Sequence, residues 1–538
     1  MLGLDKGGYK MKKILASRLA VGVTVVLCLA ALLSCGGGGG EGDPSLAGKP
    51  FGRRGDGGLP SFTGSAVTGL IGIVVDSTSG SPIAGVTISA GGLTTVSDAN
   101  GNFALPTIPN GTSVVSFNID TYAPQSRTVV ITSGIETSVI MLMTPNGTTS
   151  PSTFDPTAPA TITNGDAQLV IAANVLATAS NTAPASGNAT VILTPLSTAL
   201  DAYLEPGEYV ASGSPFETFG ALDIRITDSG GAALTNVTGA VTIRIPVSTR
   251  ATPPATATLF RFDPAAGTYV SGATATLGGS APNQYYEGTI NAIGTWAAGQ
   301  IYTPSTLSVC VEDQNGVRIS GARVQSDGQN YSGGGAGVTD STGVAQVPMK
   351  LGANAVVTAT SPRSSNSATV TAPGATFTVT PCLIMPTSGL TVRLTWGSAP
   401  TDLDSHLKGP NAAHVYFANR GSLSAQPFAA LDVDDVTAFG PEVITVAQLP
   451  IGTSEYFVHN FSNTFAPGMT GSPARVEMRF GSQIRIFSPP SGEATNRYWR
   501  VFQFVVASDC SVTFNAVQQW ASSEPGDPSG GATATYCQ

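Results

Sequence analysis

The chain has three histidines, and all of them, His406, His414 and His459, lie in its last third. Carboxylates gather around them: Asp402-Leu403-Asp404-Ser405-His406-Leu407, then Leu431-Asp432-Val433-Asp434-Asp435, then Tyr456-Phe457-Val458-His459. Imidazoles and carboxylates brought together can hold a divalent cation or pass a proton. Side chains alternate along an extended strand, so Asp402, Asp404 and His406 present three donors on one face while Leu403 and Leu407 take the other. An all-oxygen set drawn from Asp402, Asp404 and the Asp432, Asp434, Asp435 run suits calcium. Including His406 or His459 suits zinc or manganese instead. Spacing leaves these open, together with a plain reading in which the strand face is solvated and the second run is an acidic loop.

The same residues bear on catalysis. A pair such as Asp404 and Asp434 resembles the two carboxyls of a glycosidase, which must face each other across a cleft at a fixed gap. Nothing in the chain supplies a Gly-x-Ser-x-Gly elbow, a His-Glu-x-x-His helix or a phosphate loop. Trp396, Tyr416 and His459 could contact a ligand such as a sugar ring, although buried aromatics more commonly fill sandwich cores. The reading is therefore a binding module rather than an enzyme. A glycan-directed hydrolase and a purely structural spacer are its rivals.

These residues need a scaffold, and composition says which kind. At 538 residues the chain exceeds one core. Charged residues are 11%, with 64 glycines and 37 prolines, and no helical periodicity runs on after residue 35. That is the profile of short strands and many turns, hence an all-β chain of several Ig-like or transthyretin-like β-sandwich modules in tandem.

Met11-Lys12-Lys13 through Arg18 is a basic start, better placed than Met1, and Leu19 to Leu33 is an apolar run of fifteen residues. Such a run is short for a membrane span and right for a signal peptide, residues 11–34. Leu32-Leu33-Ser34-Cys35 followed by five glycines resembles a bacterial lipoprotein cleavage box. The resemblance implies acylation of Cys35, anchorage in a lipid bilayer and a place in the cell envelope, with Gly36 pointing to the outer membrane. Residues 35–66, rich in Gly and Pro, are the expected tether. Beyond the signal peptide, 20 basic residues face 33 acidic ones, net −13. Such a surface repels nucleic acid and anionic lipid and leaves cation binding open; a glycan or a surface protein is the expected partner.

Gly72-Ile-Val-Val-Asp76, Pro82-Ile-Ala-Gly85-Val86 and Asp98-Ala-Asn-Gly101-Asn-Phe103 succeed one another in period-2 runs broken by turns. Their order resembles the carboxypeptidase regulatory-like domain, over residues 67–145, which implies a carbohydrate-binding-like or transthyretin-like fold and a spacer or docking role. Asp98 reads as a turn former. Residues 146–165 read as a Pro/Thr/Ser linker and 166–302 as a sandwich, with a hairpin at Phe260 to Tyr269 similar to those of bacterial surface repeats. Residues 303–386 repeat the first module: Asp313 and Gly321 echo Asp76 and Gly85, and Asp340 to Gly343 has the spacing of Asp98 to Gly101.

The last module, 388–538, carries Asp402-Leu-Asp404-Ser-His406, His414-Val-Tyr416-Phe417, Phe439-Gly440-Pro441-Glu442 and Tyr456-Phe-Val-His459-Asn460-Phe461 in order. These resemble the YfaP-like domain of bacterial secreted proteins, a family whose molecular role is undefined. Cys28 leaves with the signal, so four cysteines remain to pair in an oxidising envelope. Module boundaries favour Cys310 with Cys382, stapling one sheet of a sandwich to the other, and Cys510 with Cys537.

Overall fold

Asp76 and Asp313 open equivalent turns: each Oδ1 accepts from two backbone amides a few residues on, Thr78 and Ser79 in one case and Asn315 and Val317 in the other. Asp98 and Asp340 do the same at the second turn, with Asn100 and Asn102, and with Thr342 and Val344. These short polar side chains mimic a backbone turn, as expected of Asp98. The computed structural model describes residues 50–51, 69–134, 136–147, 152–361, 364–386, 388–481, 483–528 and 535–537. The signal peptide, Cys35 and all of the tether except Pro50–Phe51 lie outside the described residues.

Around those turns two modules share one topology. In the first, Gly69–Asp76 lies between Asn102–Pro106 and Glu136–Met143, pairing with the latter in parallel. In the other, Pro304–Asp313 lies between Val344–Lys350 and Thr376–Met385, again parallel to the last. A four-stranded antiparallel sheet closes each sandwich, through Leu93–Val96, Thr87–Ala90, Gly111–Asn118 and Gln125–Ile131, or Gly334–Val338, Arg323–Gly328, Asn354–Ser361 and Ser364–Thr371. Alternation fills the cores, for example Leu307, Val309 and Val311 in one and Phe103, Val115 and Phe117 in the other.

Cys310 and Cys382 are bonded. They sit on Pro304–Asp313 and Thr376–Met385, neighbours in the three-stranded sheet, so the bridge does not cross the sandwich as the sequence suggests. Their strands slip register between Val309 and Val311, which brings the two cysteines side by side at the irregularity.

Between these modules one sheet of twelve strands folds over itself around Leu169, Val191, Leu222, Ile243, Tyr286 and Trp296. Two of its strands, Ser152–Phe154 and Ala160–Asn164, come from the stretch that reads as linker. Pro, Thr and Ser dominate its composition, yet Phe154 and Ile162 are buried and Ala160–Asn164 forms a hairpin with Ala167–Ile171. Glu205, fully buried, accepts the Tyr269 hydroxyl on Oε1 and leaves Oε2 without a partner among the described residues. Burial pushes its carboxyl from the usual 4.5 up to about 7. Because the folded pKa is raised, the fold favours the protonated acid. Its stabilisation is complete below about pH 4.5 and is lost as pH rises through about 7. Relative to Glu205→Gln, the protein should therefore lose about 2–3 kcal/mol between pH 4.5 and 8 in urea titrations. Parallel curves for the two proteins would refute this.

The C-terminal sandwich has two six-stranded sheets. One runs Pro50–Phe51, Val512–Ala521, Tyr498–Val506, Gly452–His459, Asp404–Lys408, His414–Val415. The other runs Gly421–Ser422, Ala429–Val433, Glu442–Val446, Leu390–Thr395, Arg475–Phe480, Gln483–Phe487. Cys510 is bonded to Cys537, whose short strand Tyr536–Cys537 pairs with Leu449–Pro450.

Buried ion pairs tie this sandwich to its neighbours. Arg393, on Leu390–Thr395, reaches Asp201 of the twelve-stranded module at 2.6 Å and Asp327 of the repeat module at 2.7 Å. Arg250 of the twelve-stranded module also reaches Asp327, at 2.9 Å. Burial raises the Asp201 carboxyl, but Arg393 and Arg475 outweigh it and hold the group below its ordinary value.

Candidate functional site

Asp404, His406 and His459 meet because two antiparallel strands place them there. Asp404 is directly opposite His459, and His406 lies two residues on, opposite Phe457, on the same face. His459 Nδ1 donates to Asp404 Oδ2 at 3.1 Å, while His406 Nδ1 and His414 Nε2 share a hydrogen bond of 2.9 Å. Flat aromatic neighbours set the rings. His406 stacks between Phe457 and Tyr416, His414 stacks on Tyr416 at 4.1 Å, and His459 stacks on Tyr498 at 4.5 Å.

The strand face is not solvated, contrary to the plainest reading of its charges. Asp404 and His406 are each 3% exposed and His459 is 8% exposed, because the neighbouring strands and stacked rings cover them. The acidic partners come from the opposite sheet. Asp404, Asp434 and Glu442 form a second group sharing Asp404, and within either triad one ligand atom per residue lies within 4.8 Å of the others. Glu442 Oε2 accepts the Ser405 amide, whereas its Oε1 has no partner among the described residues. Burial first, then the Asp404 charge, pushes the Glu442 carboxyl well above its usual value. Asp402 stands beside the cluster but in neither triad, and its carboxyl is raised to about 6 by burial and by Asp404, Asp434 and Asp435. Burial, then His414 and His459, lowers His406 to about 2, so its imidazole stays neutral.

Other residues singled out in the sequence go elsewhere. Asp432 accepts from Thr445 Oγ1 and from Asn366 Nδ2 of the repeat module, so it belongs to a module boundary and not to the cluster. A register shift between Leu431 and Val433, where the strand also ends, separates it from Asp434. Trp396 is fully buried in the core, in line with Leu390, Val392 and Leu394 on the inward side of its strand, and offers no ligand surface. Tyr416 does lie over the histidines. Asp404 and Asp434 cannot flank an open glycosidase cleft while Asp404 is buried.

The structure adds residues to this set. Glu442 was legible only as part of Phe-Gly-Pro-Glu, an ordinary turn-then-strand entry. Phe417 and Phe461 are 41% and 50% exposed, with ring centroids 5.8 Å apart, next to Tyr416 and His459. Large exposed aromatics beside a polar cluster are the informative kind of surface, but exposure is not readable from residue type.

Residues 69–144 match the carboxypeptidase regulatory-like domain. The repeat module shares the strand order of this regulatory-like module. No curated protein matches the chain. Among solved structures, the chain is similar to the unknown-function protein SAV2460, at 20% identity over 25% of this chain and 91% of that one, with a TM-score of 0.21. It is also similar to the major pilin subunit of Bacillus cereus, at 11% identity over 58% and 99%, TM-score 0.14. A candidate carbohydrate-binding protein from Bacteroides uniformis matches at 10% identity over 41% and 98%, TM-score 0.13. Likenesses this distant say nothing about the C-terminal cluster.

Proposed function

We propose that the protein is a lipid-anchored scaffold of the cell envelope whose C-terminal, YfaP-like module binds a glycan or surface protein. The regulatory-like module and its repeat serve as spacers. The anchor reading rests on the cleavage box ending at Cys35 and the glycines after it. The binding reading rests on one arrangement: two exposed phenylalanines, Phe417 and Phe461, standing beside a buried histidine and carboxylate cluster. Aromatic faces supply contact area at little entropic cost, and a polar cluster behind them supplies specificity. No activated nucleophile accompanies the cluster among the described residues; Ser405 Oγ is held by the Tyr456 hydroxyl at 2.7 Å.

Two measurements test this. Cys35→Ala should move the protein from the detergent-extracted membrane fraction to the soluble envelope fraction, and wild-type protein released by a salt wash alone would remove the anchor. On a glycan array and against envelope extracts, Phe417→Ala with Phe461→Ala should weaken binding about tenfold or more, the scale of losing one or two well-placed aromatics. Turnover of a bound glycan would favour the hydrolase, no binding by either protein would favour a plain spacer, and equal binding by wild type and double variant would remove the phenylalanines from the binding site.

A further inference from the structure

We propose that Asp404, His406 and His459 bind one zinc-class divalent ion, an assignment that rests on reading the C-terminal module as the ligand-binding part. Three observations carry it. First, one donor atom from each residue lies within 4.8 Å of the others. Second, both imidazoles keep a buried nitrogen without a partner: His406 Nε2 and His459 Nε2 accept nothing and donate to nothing among the described residues. A histidine that merely fills a core has its nitrogens paired, since an orphaned buried polar atom is costly. Third, each imidazole is oriented through its other nitrogen, by Asp404 or by His414, which is how ligating histidines are normally held.

The donor set selects the ion. Two nitrogens and one carboxylate oxygen suit zinc and its first-row neighbours, whereas calcium needs six to eight oxygens. Three protein ligands leave the fourth position of a tetrahedral ion free.

The test uses the full anchored chain in detergent, stripped with a chelator, dialysed against zinc chloride and analysed for metal. Expected are one zinc per chain and no displacement of zinc by excess calcium. His406→Phe keeps the stack with Phe457 and Tyr416 while removing the nitrogen. It should fold with an unchanged circular dichroism spectrum and bind zinc about 100-fold or more weaker. If that variant does not fold, His459→Gln, which retains a donor toward Asp404, should show the same loss. No stoichiometric zinc in the wild type, calcium in its place, or wild-type affinity in a folded variant each overturns the proposal. Zinc bound by a protein that binds no glycan or surface protein leaves this site standing and removes only the ligand reading. Undiminished glycan or protein binding alongside absent zinc does the reverse.

Discussion

Replacing Arg393 with Ala should lower the midpoint of urea unfolding by the equivalent of about 3–5 kcal/mol, the usual result of leaving buried charges without their partner. Both carboxylates it serves are buried: Asp201 is fully covered and Asp327 is 5% exposed. Arg475 approaches Asp201 only at 3.5 Å, and Arg250 is already engaged with Asp327. Neither can take over. Because Arg393 joins three modules, the change should also alter the shape of unfolding. The wild type should lose its twelve-stranded, repeat and C-terminal modules in one transition, and the Ala variant in separable steps, as independently folding units do. Intrinsic fluorescence can follow this, since Trp296 and Trp396 lie in different modules. A change below about 1 kcal/mol in the Ala variant would falsify the claim that this arginine joins the modules.

The second large effect is expected from Cys310→Ala combined with Cys382→Ala. The bond closes a separation of 72 residues. In the chain-entropy model a loop of that size is worth about 4 kcal/mol, and measured removals fall at about 2–5 kcal/mol. The core of the repeat module is built mostly of valine and alanine, with Leu307, Met349, Leu383 and Met385 its largest buried members, so it has little in reserve. Pulse proteolysis of the reduced or double-variant protein should cut within 304–385 while sparing the twelve-stranded module. An unchanged proteolysis pattern would show that the twinned topology holds without its staple.

How far the sequence could be read depended on whether a local rule or a distant contact decided the matter. Asp98 and Asp340 were legible as turn formers because a carboxylate bonding the amides just ahead of it needs only its own neighbours. The pooling of histidines near Asp404 was legible too, and strand alternation correctly put Asp404 and His406 on one face. Burial of that face was not legible, because it comes from Phe457, Tyr416 and Tyr498 on other strands and loops. Asp432 misled for a definite reason: period 2 groups it with Asp434, and a single register shift undoes the grouping. Trp396 is the opposite case. Alternation with Leu390, Val392 and Leu394 already pointed it inward, and that outweighs its promise as a platform for a sugar. Phe154 and Ile162 were hidden inside a linker-like composition, where two apolar residues were enough to make strands once a neighbouring sheet edge was available.

The acidic run Asp432 to Asp435 is gripped at both ends by another module, Asp432 by Asn366 and Asp435 by Gln329 at 2.7 Å. Asp434, between them, turns its carboxylate back to the group with Asp404 and Glu442. Part of the cluster's shape is thus set from outside its own sandwich. A recombinant C-terminal sandwich cut away at residue 388 would lose both clamps, and its affinity for any ion or ligand would report a relaxed loop. Any rocking of the repeat module against its neighbour would be felt at Asp434, which makes the cluster responsive to how its neighbour is seated.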